Sequence, residues 1–412
     1  MGQELYELPE GWNYSQLGTV AKLIGGATPS KKERKYWDGD INWASVRDLN
    51  VDTLVNTEFR ITHEGLASCS SNIIPKGNLV IATRVGLGKV SRTQTDVAIN
   101  QDLRGVIPAC DIDVDYLFFW FKGNAKFIES NGTGATVKGV KIGFIKSLQI
   151  PLPPLNEQKR IVAKLDAIFT RIDTAITHLQ QTLKLSKALF ASALNSALVP
   201  TGNIESPPES WSCEVLQTVS NLVSDGTHHS PKEQFHDKQD GLYKYITSKN
   251  IKFDGLKLDN VTYIKKEVHD EIYARCNPEN LDQLITKDGA MTGTCCLNTL
   301  DEAFSLLSSV ALVKLKRELM LPHFLNYFLQ SPTGQELMIG DISGAAITRT
   351  NLKKLKAIKV PLAPMKEQQR IVSYLNSLAE RTRKLEASTQ EKINDLTTLK
   401  ASLLDSAFKG GV

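Results

Sequence analysis

The 412-residue chain is poor in the features that mark membrane proteins, secreted proteins and the commoner enzymes. No stretch reaches the run of about eighteen apolar residues that a membrane span needs, and the N-terminus carries no signal-peptide apolar block. The expected location is the cytoplasm. The six cysteines, Cys69, Cys110, Cys213, Cys276, Cys295 and Cys296, show neither CxxC spacing nor a histidine pair in zinc-finger register. That excludes a structural zinc site of this kind and leaves reduced, packed thiols as the expectation. A phosphate-binding loop needs GxxxxGK followed by Ser or Thr, but Gly88-Lys89 is followed by Val90. Charge of one sign is scarce as well: 49 Lys and Arg face 45 Asp and Glu, for a net +4. Nucleic-acid binding therefore does not follow from composition, and any basic surface has to be local. Lys31-Lys32-Glu33-Arg34-Lys35 and Lys353-Lys354-Leu355-Lys356 are such places, although short charge runs are usually just solvated surface.

What the chain does have, it has twice. IPLPPLNEQKRIVAKL, from Ile150 to Leu165, returns as VPLAPMKEQQRIVSYL, from Val360 to Leu375, at an offset of 371 − 161 = 210 residues for Ile161 and Ile371. ASALNSAL at 191–198 and ASLLDSAF at 401–408 keep that offset, as do Gly134-Ala135-Thr136-Val137 and Gly344-Ala345-Ala346-Ile347. Pro9-Glu10-Gly11-Trp12 answers Pro208-Glu209-Ser210-Trp211 at 211 − 12 = 199, so 210 − 199 = 11 residues are gained within the second copy. A period this long points to two domain-sized units rather than a stack of small repeats, in keeping with a length beyond one ordinary core. The frames agree and the interiors diverge, as in a scaffold that presents two different recognition surfaces; drift after duplication is the alternative.

Each copy ends in a long amphipathic stretch. From Asn156 to about Leu198, Ile161, Leu165, Ile168, Ile172, Ala175 and Leu179 recur in steps of four and three, the seam of a heptad helix. Proline precedes it, Asn156 is placed to cap it, and Pro200 and Gly202 follow. Unbroken, it would run roughly 60 Å. In the second copy Ile371, Leu375, Leu378, Leu385, Leu396 and Leu403 lie near an equivalent seam, interrupted by Thr382 and Thr389. Neither stripe can be buried alone, so the two helices are expected to pack together, antiparallel, rather than each on its own globule. The remaining regions read as short strands, such as 77–82 and 284–286, with helices over 116–121 and 324–329. The fold class is therefore mixed α/β (α+β), with an internal pseudo-twofold duplication.

P-L-x-P-x-x-E-Q-x-R-I-V followed by a long heptad helix, present twice, resembles the specificity subunits of Type I restriction–modification systems, and the resemblance covers nearly the whole chain. Supporting features are the openings at Trp12 and Trp211, Gly25-Gly26-Ala27-Thr28-Pro29-Ser30, Thr83-Arg84-Val85-Gly86 and Thr286-Lys287-Asp288-Gly289. The resemblance implies two target-recognition domains, 1–153 and 201–363, separated by a central helix, 154–200, and a C-terminal helix, 364–412, in an antiparallel coiled coil. Each domain would read one half of a split DNA target. Half-sites about one helical turn apart, roughly 34–36 Å, call for two readers at a fixed separation. It also implies partners: two adenine-N6 methyltransferase subunits and, optionally, two restriction subunits, which would carry S-adenosylmethionine, ATP and Mg. The chain itself is expected to be non-catalytic and to hold no cofactor. The aromatic-flanked Asn/Asp-Pro-Pro tetrapeptide of such methyltransferases is missing, because Pro153-Pro154 and Pro207-Pro208 follow Leu and Ser.

For DNA contact, polar residues in matching loops are the candidates: Thr28, Ser30, Lys31, Arg47, Arg84, Lys89 and Lys138 in the first copy, with His228, Ser230, Lys232, Lys249, Lys287 and Arg349 in the second. Arg84 and Arg349 stand out, because guanidinium can grip guanine at two points; surface ion pairing is the plain alternative for all. Glu157, Gln158, Glu367 and Gln368, repeated at the two helix starts, are candidates for partner binding. His228-His229 with His236 lacks the further ligands of a metal site, and the matching first-copy stretch has no histidine. The competing reading is a non-catalytic coiled-coil adaptor whose divergent domains bind proteins.

Overall fold

The computed structural model describes residues 3, 5–134, 136–340 and 350–411. The contacts of the chain form two compact units, 1–179 with 391–412 and 180–390. This division runs through both long helices, Leu155–Leu198 and Met365–Phe408, rather than at their ends.

The first unit opens with Asn13–Gln16, paired antiparallel to Gln149–Leu152. A five-stranded sheet follows in the order Ala21–Gly25, Leu103–Pro108, Leu79–Ala82, Val90–Thr93, Thr53–Leu54. A four-stranded sheet orders Phe59–Ile61, Trp37–Ala44, Val97–Ile99, Ile73–Ile74. The helix Val114–Gly123 is apolar on every side, and Tyr116 to Phe121 are all buried, as a helix wedged between layers must be. Asp113 caps it by accepting from the Asp115 and Tyr116 N–H groups. Its core takes in Ile161, Leu165, Phe169 and Ile172 from the start of the central helix and Leu404, Ala407 and Phe408 from the end of the C-terminal helix.

The second unit repeats the plan. Ser212–Val215 pairs with Lys359–Leu362, and one sheet runs Ser220–Asp225, Val310–Leu315, Gln283–Thr286, Cys295–Leu297. Another runs Thr262–Lys265, Leu242–Ile246, Ser305–Leu306. Here the end of the central helix, Leu194 and Leu198, shares a core with Ile371 and Leu375 from the start of the C-terminal helix and with Phe324 and Phe328. In each unit the start of one helix meets the end of the other, which is the antiparallel arrangement expected of two stripes that cannot be buried alone.

Two expectations about the helices are corrected. Asn156 is not the cap: the central helix begins at Leu155, so Asn156 lies in its first turn and accepts from the Glu157 N–H at 3.0 Å. Leu385 is 47% exposed while Thr389 is buried, so the C-terminal helix turns away from the heptad seam at that point. The eleven extra residues of the second copy are not one insertion. Matched positions drift from 226 − 26 = 200 through 306 − 99 = 207 and 321 − 113 = 208 to 368 − 158 = 210, so the gain is spread over several loops.

Candidate nucleic-acid interface

In each unit the strand that follows the opening pair runs into a loop through a glycine that nothing larger can replace. A Cβ on Gly26 would stand 2.0 Å from the Ile99 carbonyl oxygen, and one on Gly226 would stand 1.8 Å from that of Leu306. The next residue donates its N–H to that same carbonyl, Ala27 at 3.0 Å and Thr227 at 2.8 Å. These contacts pin equivalent loops against equivalent sheets through the backbone alone.

In the first unit Thr28, from this loop, donates to Gln101 Oε1 at 2.6 Å. The adjacent Asp102 anchors Arg84: its carbonyl accepts the Arg84 N–H at 3.2 Å and its carboxylate lies 3.5 Å from Nη1. The Lys138 carbonyl accepts the N–H of Val85, which holds φ at +49°, a rare conformation for a β-branched residue and one found where a loop must present a side chain. Lys89 donates to Asn50 Oδ1 at 2.7 Å, and Asn50 Nδ2 donates to the Arg47 carbonyl at 2.8 Å. Thr28 and Arg84 are thus held by the neighbouring Gln101 and Asp102, the Lys138 backbone lies against Val85, and Arg47 and Lys89 are joined through Asn50. Arg47 also faces Glu58 at 3.5 Å. Ser30 and Lys31 are exposed beyond this cluster, and the Ser30 carbonyl is held by the Trp37 indole N–H at 3.1 Å.

The second unit gathers the same loops around a different group. Asp225 is buried and stands where the first unit has Gly25. Its carboxylate meets Lys287 Nζ at 3.0 Å, Arg275 Nη2 at 2.9 Å and His228 Nε2 at 3.5 Å. Burial pushes this carboxyl up, but the Lys287 and Arg275 hydrogen bonds outweigh that and hold it below the usual carboxylate range. The expectation for Lys287 is therefore corrected: its side chain is 7% exposed and committed to Asp225 rather than offered to DNA. His228, His229, Ser230, Lys232 and Lys249 are exposed, and Arg349 lies outside the described residues.

The helix starts carry two roles in adjacent residues. Glu157 forms a double hydrogen bond with Arg160 at 2.8 Å in both arms, as Glu367 does with Arg370 at 2.9 and 2.6 Å. These arginines hold both carboxyls below the ordinary range. Gln158 and Gln368 are corrected as partner-binding residues. Gln368 is wholly buried; it accepts from the Leu321 N–H and donates to the Leu319 and Ala363 carbonyls, all at 2.8 Å. Gln158 does the same with Asp113, Asp111 and Pro153 at 2.8, 3.2 and 3.0 Å. Each glutamine ties a long helix to its own unit and has nothing left for a partner.

The family model described as the Type I restriction modification DNA specificity domain matches residues 9–185 and again 216–395. The chain belongs to this family. A specificity subunit of the EcoKI enzyme from Escherichia coli K12 is 22% identical over 98% of this chain and 90% of its own length. That of EcoR124I/EcoR124II, also from Escherichia coli, is 31% identical over 43% of this chain and 46% of its own length. One from MjaIX of Methanocaldococcus jannaschii is 29% identical over 39% of each chain. The chain thus spans less than half the length of these last two relatives. The HsdS subunit from Thermoanaerobacter tengcongensis superimposes with a TM-score of 0.57 at 21% identity, covering 99% of both chains. A structure described as the basis of assembly and conformational transition of the Type I R-M system gives a TM-score of 0.79 at 21% identity, over 99% of this chain and 100% of the other. These likenesses establish the fold.

For a member of this family the sequence left several site residues unseen. Asn50, Gln101, Asp102, Asp225 and Arg275 organise the loop clusters, yet only Asn100-Gln101-Asp102, a polar triplet between two apolar strands, left a readable signal. Among the described residues no group of three or more His, Cys, Asp or Glu is arranged to hold a metal. Nor is any helix there long and apolar enough to cross a membrane.

Proposed function

We propose that this chain is the DNA-recognition subunit of a Type I restriction–modification complex, binding a split duplex target with one half-site per unit. The observation that carries this reading is the contrast between identical supports and different loop ends. Gly26 and Gly226, and Gln158 and Gln368, do the same structural work in both units, whereas the side chains gathered beside the glycine loops differ, Thr28 and Arg84 on Gln101 and Asp102 in one and His228 and Arg275 on Asp225 in the other. A common frame with unlike exposed side chains is what two half-sites of unlike sequence require. Affinity comes chiefly from Lys31, Arg47, Lys138, Lys232 and Lys249 against phosphates, and specificity from the side chains that reach base edges.

The subunit positions two adenine-N6 methyltransferase subunits and, where they are present, two restriction subunits. S-adenosylmethionine, ATP and Mg are bound by those partners, and this chain performs no chemistry in the cytoplasm where the complex acts. Glu157 and Glu367 remain exposed enough to meet a partner at the two helix starts.

The test is single-molecule methylome mapping in a methylation-free host that expresses the chain with its neighbouring methyltransferase, against the methyltransferase alone. A split motif with methyladenine in both halves, dependent on this chain, is the expected result. Co-purification without any motif would favour the adaptor reading, and failure to co-purify would overturn the proposed partnership.

A further inference from the structure

The exposed cation of the second unit is not the one that sequence matching selects. Lys287 occupies the place of Arg84 but is buried against Asp225, whereas Arg275, the last residue of the helix Lys266–Arg275, is 52% exposed at the same carboxylate. The first unit has no counterpart, since its helix after the matching edge strand is only His63–Ala67, five residues long.

The guanidinium is held by one edge. Arg275 Nε faces the Asp225 carbonyl at 3.4 Å and Nη2 donates to the Asp225 carboxylate at 2.9 Å. That occupies the side-on edge and leaves the end edge formed by Nη1 and the second hydrogen of Nη2. The Nη2 side of this end edge rests on His228 Nε2 at 3.2 Å, and Nη1 has no hydrogen-bond partner among the described residues. His228 is on an exposed loop, so a ligand with two adjacent acceptors can take its place. Guanine offers N7 and O6 side by side in the major groove. A phosphate also offers two oxygens, but the setting favours the base. Asp225 fixes the fork in a single orientation, which phosphate contact does not require and base reading does.

We propose that Arg275 is a specificity-determining residue of the second unit, reading one guanine through the end edge of a guanidinium that Asp225 holds in place. This rests on the DNA-recognition reading above. The test is selection from a random duplex library by the full chain co-expressed with its methyltransferase, comparing wild type with Arg275→Ala and Arg275→Lys. Wild type selects a split motif with a guanine in one half. Both variants are expected to lose the preference at that single position, with affinity for the wild-type site down roughly tenfold or more, while the other half of the motif is still selected, which shows that the subunit is folded. Arg275→Lys keeping the preference would show that a fixed guanidinium fork is not needed, and both variants keeping the motif with uniformly weaker, less salt-dependent binding would mean a phosphate contact; either result overturns the proposal. An unchanged motif and affinity would overturn it too. If wild type itself selects no motif, the recognition reading fails instead.

Discussion

The buried glutamines at the helix starts allow a sharp test of how the long helices are fastened. In Gln368→Ala the Leu321 N–H loses its acceptor and the Leu319 and Ala363 carbonyls lose their donor, three bonds of 2.8 Å around a side chain with no exposure. Each such bond contributes about 0.5–1.5 kcal/mol net, and a buried group left unpaired costs more. Water entering the vacated space recovers part of that. A loss of about 3 kcal/mol is expected, a large share of the roughly 5–15 kcal/mol that holds a domain together. Gln158→Ala should cost somewhat less, because two of its bonds are longer, at 3.2 and 3.0 Å. The exposed neighbour sets the baseline: Glu367→Ala removes a surface pair and should cost under about 1 kcal/mol. Urea unfolding gives the totals, and amide hydrogen exchange at Leu321 and Asp113 gives the local effect, with protection at those two amides falling in the matching variant. A Gln368→Ala variant that loses less than about 1 kcal/mol, keeps Leu321 protected and fails to bind a methyltransferase would refute the reasoning and restore the residue as a docking contact.

Three further outcomes follow from the geometry. Lys287→Ala should destabilise the second unit by about 1–3 kcal/mol, because Asp225 keeps only Arg275 and His228, whereas Lys232→Ala should leave stability unchanged and flatten the salt dependence of DNA binding by about one phosphate contact; equal stability of the two variants would contradict the burial of Lys287. Gly26→Ala and Gly226→Ala force a methyl group onto a carbonyl oxygen and should each lower the thermal stability of their own unit by at least about 1–3 kcal/mol, and a neutral result in calorimetry would show that the loops can move. His269 is buried, stacked on Tyr243 at 3.8 Å and bonded to Ser305 at 2.9 Å, and burial lowers its pKa from 6.5. The unfolded chain then takes up the proton first, so stability present above about pH 6.5 should fall as the pH drops below it. In His269→Phe that dependence should shrink in urea titrations to the part left by His323, whose pKa burial also lowers, and a dependence unchanged from wild type would place the responsible group elsewhere.

Much of this architecture was legible in one dimension, since the duplication, the two heptad helices and the mixed α/β units all follow from patterns repeated along the chain. Periodicity and repetition record which faces must be buried, and burial is the strongest constraint on a fold. The roles of individual polar residues were not legible, because a glutamine or lysine has the same letter whether it faces solvent or is enclosed. Gln158 and Glu157 are neighbours in sequence, but one helical step turns the first into the core and leaves the second outside. Lys287 matches Arg84 in the alignment of the two copies, yet an aspartate in place of Gly25 draws its charge inward, and Arg275 comes out from a longer helix to stand in the exposed place. The sequence by itself determined the doubled frame and the family. Tertiary structure alone decided which cation of each frame is spent on the protein and which is left for a ligand, because that depends on carboxylates brought together from strands and loops far apart in the chain.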